Sequence, residues 1–145
     1  MVGQFYRNDL PELQRKIKSF GYGVIYDKND LLQTMLHEYS KRGDSSCVEL
    51  ILETHKTCCK DHDKYAVFID LKDFYGKTAL HYAAESCVPN CINLLLFYSA
   101  NKHIKTTEGL LGKFPFEVLG KNAAQTVTCA NKYRLEIECI KLLCE

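Results

Sequence analysis

The chain has 145 residues, 46% of them hydrophobic and 26% charged, which is enough apolar material for one domain of ordinary size. Nineteen basic and eighteen acidic residues leave a formal charge of +1, far from the basic surface that binding to a nucleic-acid backbone requires. The apolar runs are only a few residues long, whereas a membrane-spanning helix needs about 20. The first residues are too highly charged for a signal peptide. We therefore expect an intracellular protein, cytoplasmic or nuclear, that neither binds nucleic acid nor spans a membrane.

Eight cysteines raise the question of a disulfide framework. A chain of this length can bury a sufficient core without one, and disulfides are rare inside cells. We therefore predict reduced thiols. Cys58 and Cys59 are expected to be the most exposed and hence the most easily oxidised.

The first predicted element is a helix near the N-terminus. Leu10, Leu13, Ile17 and Phe20 recur at helical spacing, and Gly21 follows as a stop signal. This spacing predicts one buried face.

The next predicted element begins with a short sequence phrase that recurs later in the chain. Residues 34–37 (Thr-Met-Leu-His) match residues 78–81 (Thr-Ala-Leu-His), and each phrase starts 13 residues before a cysteine. That cysteine opens a second phrase of the form Cys, apolar, polar and apolar, which occurs at 47–52, 91–96 and 139–144. Its apolar positions predict a helix buried on more than one side. Cysteine spacings of 44 and 48 residues are typical of stacked repeats.

With these phrases the chain resembles the ankyrin-repeat family, whose unit is a hairpin turn, a short helix opened by Thr-Pro-Leu-His and a longer antiparallel helix. Residues 76–84 (Gly-Lys-Thr-Ala-Leu-His-Tyr-Ala-Ala) are a nearly complete match. The first repeat lacks the family's pair of small alanines, and the third keeps Pro115 but has Phe114 and Glu117 where the family has Thr and His. The resemblance implies an all-α solenoid of stacked antiparallel helix pairs joined by short hairpin loops.

The resemblance also suggests how one domain is divided. We expect a truncated N-terminal capping repeat at 1–28, a first repeat with an insertion at 29–68, a second repeat at 69–105 and a third repeat with an insertion at 106–145. Measured against a period of about 33 residues, the surplus residues fall around 54–65 and 121–133, with a shorter surplus near 109–112. Insertions in a solenoid lie in loops, because the stacked helices tolerate none.

His37 and His81 occupy matching places, and we interpret them as framework residues rather than catalytic ones. At the start of the short helix, one ring nitrogen can bond to the hairpin backbone while the other ties adjacent repeats together. Thr34 and Thr78 are expected to satisfy the helix-start amides. No nucleophile–base set, phosphate loop or carboxylate pair accompanies a plausible pocket, so we expect no enzymatic activity and no cofactor.

One segment has the composition of a metal site. His55, Cys58, Cys59 and His62 lie within eight residues and are ligand types that zinc accepts. Adjacent cysteines are awkward ligands for one tetrahedral ion, and the spacing matches no usual zinc-finger pattern. We therefore interpret the segment as an exposed polar loop and keep a zinc-binding module as an alternative.

The resemblance implies a partner-binding surface at the hairpin tips and on the exposed side of the short helices. Ten residues fall there by alignment: Lys41, Arg42, Lys72, Phe74, Tyr75, Tyr82, Glu85, Ser86, His103 and Lys105. We expect Phe74, Tyr75 and Tyr82 to form one exposed aromatic patch, because such patches mark interaction sites. The alternative for Phe74 is that it folds under the long insertion.

These observations predict a non-enzymatic module, a scaffold, adaptor or inhibitor, that binds a protein partner through its hairpin tips and concave face. One alternative is a short viral or parasite-type ankyrin protein resembling inhibitors of Rel-family transcription factors. Another is a structural ankyrin segment of a larger multidomain protein. The leucine-rich last helix has no polar cap, which predicts self-association or missing downstream repeats.

Overall fold

The chain folds into helices joined by hairpin loops. The computed structural model describes residues 10–58, 67–106, 112–118 and 129–144. The main elements in these ranges are α1 (Leu10–Phe20), a 3₁₀ segment (Tyr22–Tyr26), α2 (Met35–Arg42), α3 (Ser45–Cys58), α4 (Ala79–Ser86), α5 (Pro89–Phe97), a second 3₁₀ segment (Pro115–Val118) and α6 (Cys129–Cys144). This described part contains no β-strand. None of its helices is long and apolar enough to cross a membrane.

The helices stack in two layers. The short helices α2 and α4 pack side by side, and the 3₁₀ segment Pro115–Val118 packs against α4 in the same layer. The long helices α3, α5 and α6 stack in the second layer, while α2 contacts α3 and α4 contacts α5 to form the helix pairs. This is the all-α solenoid that the sequence predicts.

The core lies between the two layers and follows the repeated phrases. Leu36 and Leu80, at equivalent positions of the two short helices, are both buried. Cys47, Cys91 and Cys139, at the shared position of the long helices, are all fully buried. The repeated phrase therefore faces the core in each repeat. Its cysteine is a small apolar side chain that suits a close contact between helices.

Each short helix begins with a capping box and ends in a left-handed residue. Thr34 and Thr78 are the N-cap residues, and the histidine three positions later bonds back to the N-cap backbone in both helices. These bonds satisfy amide groups that the helix itself leaves unpaired. The helices end at Gly43 and Cys87, whose φ angles are 73° and 53°.

Two insertions that we predicted as loops are partly helical. Helix α3 continues to Cys58, and Thr54 is buried within it. Helix α6 already begins at Cys129, inside the insertion predicted at 121–133. The remaining residues of the two insertions, 59–65 and 121–128, lie outside the described residues. The repeat period locates the surplus residues, but it does not distinguish a longer helix from a loop.

The predicted N-terminal helix is confirmed as α1, although its apolar face is shorter than expected. Leu13 is buried, and Leu10 and Ile17 pack against the core. Phe20, predicted on the same face, is exposed. It is the last residue of the helix, where the chain turns away through Gly21 with φ 83°.

Candidate protein-binding surface at the hairpin tips

In the part of the chain that the structure describes, equivalent backbone bonds close three hairpins that project from the helix layers. In the first two hairpins, the N–H groups of Asn29 and Asp73 donate to the carbonyl oxygens four residues later, at 3.0 and 2.9 Å. In the third, the N–H of Thr106 donates to the carbonyl oxygen of Lys113, seven residues later, at 2.9 Å. This longer third loop agrees with the surplus predicted near 109–112, of which residues 109–111 lie outside the described residues.

Side chains hold the first two hairpin tips in shape. Oδ1 of Asn29 accepts bonds from the N–H groups two and four residues later, both at 2.9 Å. Oδ1 of Asp73 does the same at 3.0 and 2.9 Å. Such bonds from Asn or Asp to the following backbone fix a tight turn, so both tips have a defined shape without a partner.

The first two hairpins are bonded to each other. The N–H of Phe74 donates to the carbonyl oxygen of Leu31 at 2.8 Å. Nε2 of Gln33 donates to Oδ2 of Asp73 at 3.1 Å and to the Tyr82 hydroxyl at 2.9 Å. These bonds join the two tips into one continuous surface.

Four apolar side chains are exposed on this joined surface: Leu31 (38%), Leu32 (48%), Phe74 (67%) and Tyr75 (39%). We refer to these four residues as the tip cluster. The rings of Phe74 and Tyr75 contact each other edge to face, with centroids 5.5 Å apart. Sequence reasoning missed Leu31 and Leu32, although the 44-residue offset between the repeats places Leu31 at the position of Tyr75.

Tyr82 and Glu85 were predicted to be exposed and are instead buried, with 5% and 2% of their surface accessible. The Tyr82 hydroxyl donates to the Asp73 carboxylate, and burial together with this bond raises the pKa of Tyr82. Oε1 of Glu85 lies 2.9 Å from Nζ of Lys77. The second hairpin therefore covers the α4 face that alignment placed in solvent, and the expected patch of three exposed rings is wrong.

Asp73 is the centre of this polar cluster. Burial alone would raise the pKa of its carboxyl group, but hydrogen bonds from Tyr82, Gln33 and the Lys77 backbone outweigh burial and lower it. An ionised Asp73 thus holds the second hairpin to α4 and to the first hairpin.

His37 and His81 tie each repeat to the next hairpin, as predicted. Nδ1 of each ring accepts the backbone N–H of its N-cap threonine at 3.1 Å. Nε2 of His37 lies 2.8 Å from the carbonyl oxygen of Leu71. Nε2 of His81 lies 2.9 Å from the carbonyl oxygen of Lys113. An amide N–H only donates and a carbonyl only accepts, so this geometry requires neutral rings with the proton on Nε2. Burial lowers the pKa of both imidazoles.

The other predicted contact residues lie at or near the surface. Lys41, Arg42, Lys72, His103 and Lys105 are exposed, and Ser86 is partly buried. The Ser86 hydroxyl donates to the carbonyl oxygen of Lys41 at 2.6 Å and so helps to join α4 to α2. Nζ of Lys105 lies 4.9 Å from the Phe114 ring centroid, and the His103 ring centroid lies 6.5 Å from it.

The structure describes two of the four candidate zinc ligands, His55 and Cys58. His55 was predicted in an exposed loop, but it is buried on α3, with Nδ1 2.8 Å from the Tyr26 hydroxyl and its ring 4.3 Å from that of Phe68. Cys58 is exposed at the end of the same helix. The other two candidates, Cys59 and His62, lie outside the described residues. No group of three or more candidate ligands occurs among the described residues.

Comparison with known proteins identifies the family. The sequence matches ankyrin repeats, in three copies, over residues 7–108. The chain belongs to the ankyrin-repeat family. It is 31% identical over 83 residues to the Arabidopsis thaliana protein named "Putative E3 ubiquitin-protein ligase XBAT31", an alignment that covers 57% of this chain and 18% of that protein. The chain therefore corresponds to a small part of this relative.

The ankyrin-repeat fold is also similar to a solved structure. A chain in the crystal structure of the yeast ribosomal protein Rps3 in complex with its chaperone Yar1 superposes with a TM-score of 0.72. The sequence identity is 21%, and the match covers 92% of this chain and 83% of that chain. This similarity shows the fold alone. The family match over residues 7–108 contains the whole tip cluster.

Proposed function

We propose that this ankyrin-repeat chain is a non-enzymatic protein-interaction module whose protein partner binds across the tip cluster. The observation that carries the proposal is the bond from the N–H of Phe74 to the carbonyl oxygen of Leu31. It places four exposed apolar side chains on one joined surface, and grouped exposed apolar residues mark interaction sites. Tyr side chains are enriched among the residues that dominate binding energy, which favours Tyr75 as an anchor.

The rigidity of the two hairpins supports the same proposal. Asn29, Gln33 and Asp73 hold the tips through side-chain bonds that need no partner. A preformed surface loses little conformational entropy when it binds, so more of the contact energy appears as affinity.

Charged residues on the tips provide the polar rim that such interfaces have. Lys28 and Asp30 on the first hairpin and Lys72 on the second are exposed near the tip cluster in sequence. His103 and Lys105, exposed on the third hairpin, extend the proposed contact surface. Lys41, Arg42 and Ser86, at the C-terminal ends of the short helices, complete the set of proposed contact residues.

Binding rather than catalysis also fits the roles of the two histidines that occupy equivalent positions in the repeats. Both nitrogens of His37 and His81 are engaged in capping and in holding the next hairpin. A general base needs a ring nitrogen free to reach its substrate.

A capture experiment with three forms of the chain tests the proposal. The wild type, the double variant Phe74→Ala/Tyr75→Ala and the control Phe97→Ala are immobilised and incubated with the same cell extract. Phe97 is a suitable control because its ring is 76% exposed but lies on α5, in the other helix layer. We expect one or more proteins that the wild type and Phe97→Ala retain and that the double variant loses.

The opposite pattern would contradict the proposal. If the double variant retains every protein that the wild type binds, or if Phe97→Ala loses the same proteins, the tip cluster is not the binding surface. Dichroism spectra of all three forms, recorded beforehand, verify that each is folded.

A further inference from the structure

Two buried cysteines meet where the second repeat packs against the last helix. Sγ of Cys87 lies 3.7 Å from Sγ of Cys139. Cys87 caps α4 and is 2% exposed, while Cys139 lies on α6 and is 0% exposed. The two residues are 52 positions apart in the chain, so a bond between them would join the second repeat to the last helix.

The backbone of Cys87 provides an independent observation. Its φ and ψ of 53° and 50° are left-handed, a conformation that favours glycine because a Cβ crowds the backbone. The equivalent residue of the first repeat, 44 positions earlier, is Gly43, with φ 73°. The second repeat therefore has a strained cysteine at a position that suits glycine, and strain of this kind tends to accompany a function.

The two repeats differ in what a side chain would meet at this position. A Cβ on Gly43 would lie 2.7 Å from Cγ2 of Val88, so the first repeat has no room for one. In the second repeat the side chain of Cys87 reaches the thiol of Cys139. A small apolar side chain at position 139 would fill the space beside Cys87 equally well. Packing alone therefore does not require a second thiol at this contact.

We propose that Cys87 and Cys139 form a site of reversible oxidation, which a peroxide closes to an intramolecular disulfide. One thiol loses its proton, and the thiolate attacks an oxygen of the peroxide, so that an S–O bond forms as the O–O bond breaks. The product is a sulfenic acid, and the released hydroxide or alkoxide takes up a proton to become water or an alcohol. The second thiol then attacks the sulfur of the sulfenic acid, so that the S–S bond forms as the S–O bond breaks. The sulfenic OH group leaves as water with the proton of the second thiol. Two thiols are oxidised as one peroxide is reduced.

The geometry requires only a small rearrangement. The two sulfurs are 3.7 Å apart. In a disulfide they are about 2.05 Å apart, so they must approach by about 1.7 Å. Because both thiols are buried, the peroxide gains access when the contact between α4 and α6 opens locally. The reaction is therefore slower than oxidation of the exposed Cys58.

The thiol of Cys91, another buried cysteine, is held in its protonated form. Burial and the Asp44 carboxylate raise the pKa of the Cys91 thiol to about 12, which keeps it protonated. Cys91 therefore provides an internal comparison for the selectivity of the proposed pair.

Peptide mapping of the oxidised full chain tests the proposal. The reduced protein is treated with increasing hydrogen peroxide, remaining thiols are blocked, and tryptic peptides are analysed by tandem mass spectrometry with and without reductant. Fragmentation is needed because residues 78–102 form one tryptic peptide that carries both Cys87 and Cys91. We expect a reductant-sensitive peptide that links Cys87 to Cys139, and a higher unfolding midpoint in the linked form because the crosslink restricts the unfolded chain.

Three variants make the result specific. Cys139→Ser and Cys87→Gly should both lose the linked peptide and the rise in midpoint, and Cys87→Gly introduces the residue that this backbone favours, so it should fold. Cys58→Ser is the control and should retain both. The proposal is overturned if Cys87 and Cys139 remain thiols after prolonged incubation with excess peroxide, if either links to a different cysteine instead, or if the linked form is no more stable.

Discussion

The N–H of Phe74 donates to the carbonyl oxygen of Leu31 at 2.8 Å, and Phe74 nevertheless has the most exposed side chain of the tip cluster. Its backbone holds two repeats together while its ring faces solvent. The structural role of the residue therefore lies in its main chain, which a side-chain substitution leaves in place.

The first prediction follows from this separation of roles. Phe74→Ala/Tyr75→Ala should change the free energy of unfolding by no more than about 0.5 kcal/mol, as surface substitutions usually do. Leu80→Ala, at a buried position of α4, should cost about 2 to 5 kcal/mol because it leaves a cavity. Urea unfolding of the three proteins measures both effects. A large loss in the double variant would mean that these rings belong to the core.

The second prediction concerns the buried cluster around Asp73. Tyr82→Phe removes the hydroxyl that donates to the Asp73 carboxylate and should destabilise the chain by about 1 to 3 kcal/mol, since a buried acceptor loses its donor. Hydrogen exchange should quicken at the amides of Tyr75 and Lys77, which bond to the same carboxylate. Unchanged exchange at both amides would show that Asp73 does not depend on Tyr82 to hold the hairpin.

The third prediction is a loss of stability in mild acid. Burial lowers the pKa of His37 and His81 in the folded chain, whereas unfolding returns them to about 6.5. Below about pH 6.5 the unfolded state therefore binds more protons, and the free energy of unfolding falls as the pH drops toward the lowered folded values. The lowered pKa of Asp73 acts only below about pH 3.9, outside this window.

Urea unfolding between about pH 7.5 and about pH 5.5 checks this direction. His81→Gln should show a shallower dependence on pH than the wild type, because one of the two linked rings is gone. A free energy of unfolding that stays constant or rises on acidification would contradict the neutral-ring geometry.

The sequence predicts the framework well because stacking imposes the same contacts in each repeat. Leu36 and Leu80 share one environment, and so do Cys47, Cys91 and Cys139, so a phrase that recurs at a fixed offset identifies the core. The roles of the two histidines follow from the same repetition, since each has a neighbouring hairpin to bond.

The candidate site is harder to predict because it depends on how the hairpins fold over the helices. Alignment places Tyr82 and Glu85 on the outward side of α4, but Asp73 and Lys77 of the preceding hairpin cover that side and pair with them. Leu31 lies in a loop without a periodic pattern, so only its offset from Tyr75 relates it to the surface.

The central claim is that the tip cluster is the surface to which the partner binds. The most direct test is the dissociation constant of a purified partner from the capture experiment, measured by calorimetry for the wild type, Phe74→Ala/Tyr75→Ala and Phe97→Ala. Loss of two anchoring rings should weaken binding by about 2 kcal/mol or more, which is roughly 30-fold in the dissociation constant. Phe97→Ala should bind as the wild type does. Equal affinities for the folded double variant and the wild type would contradict the account.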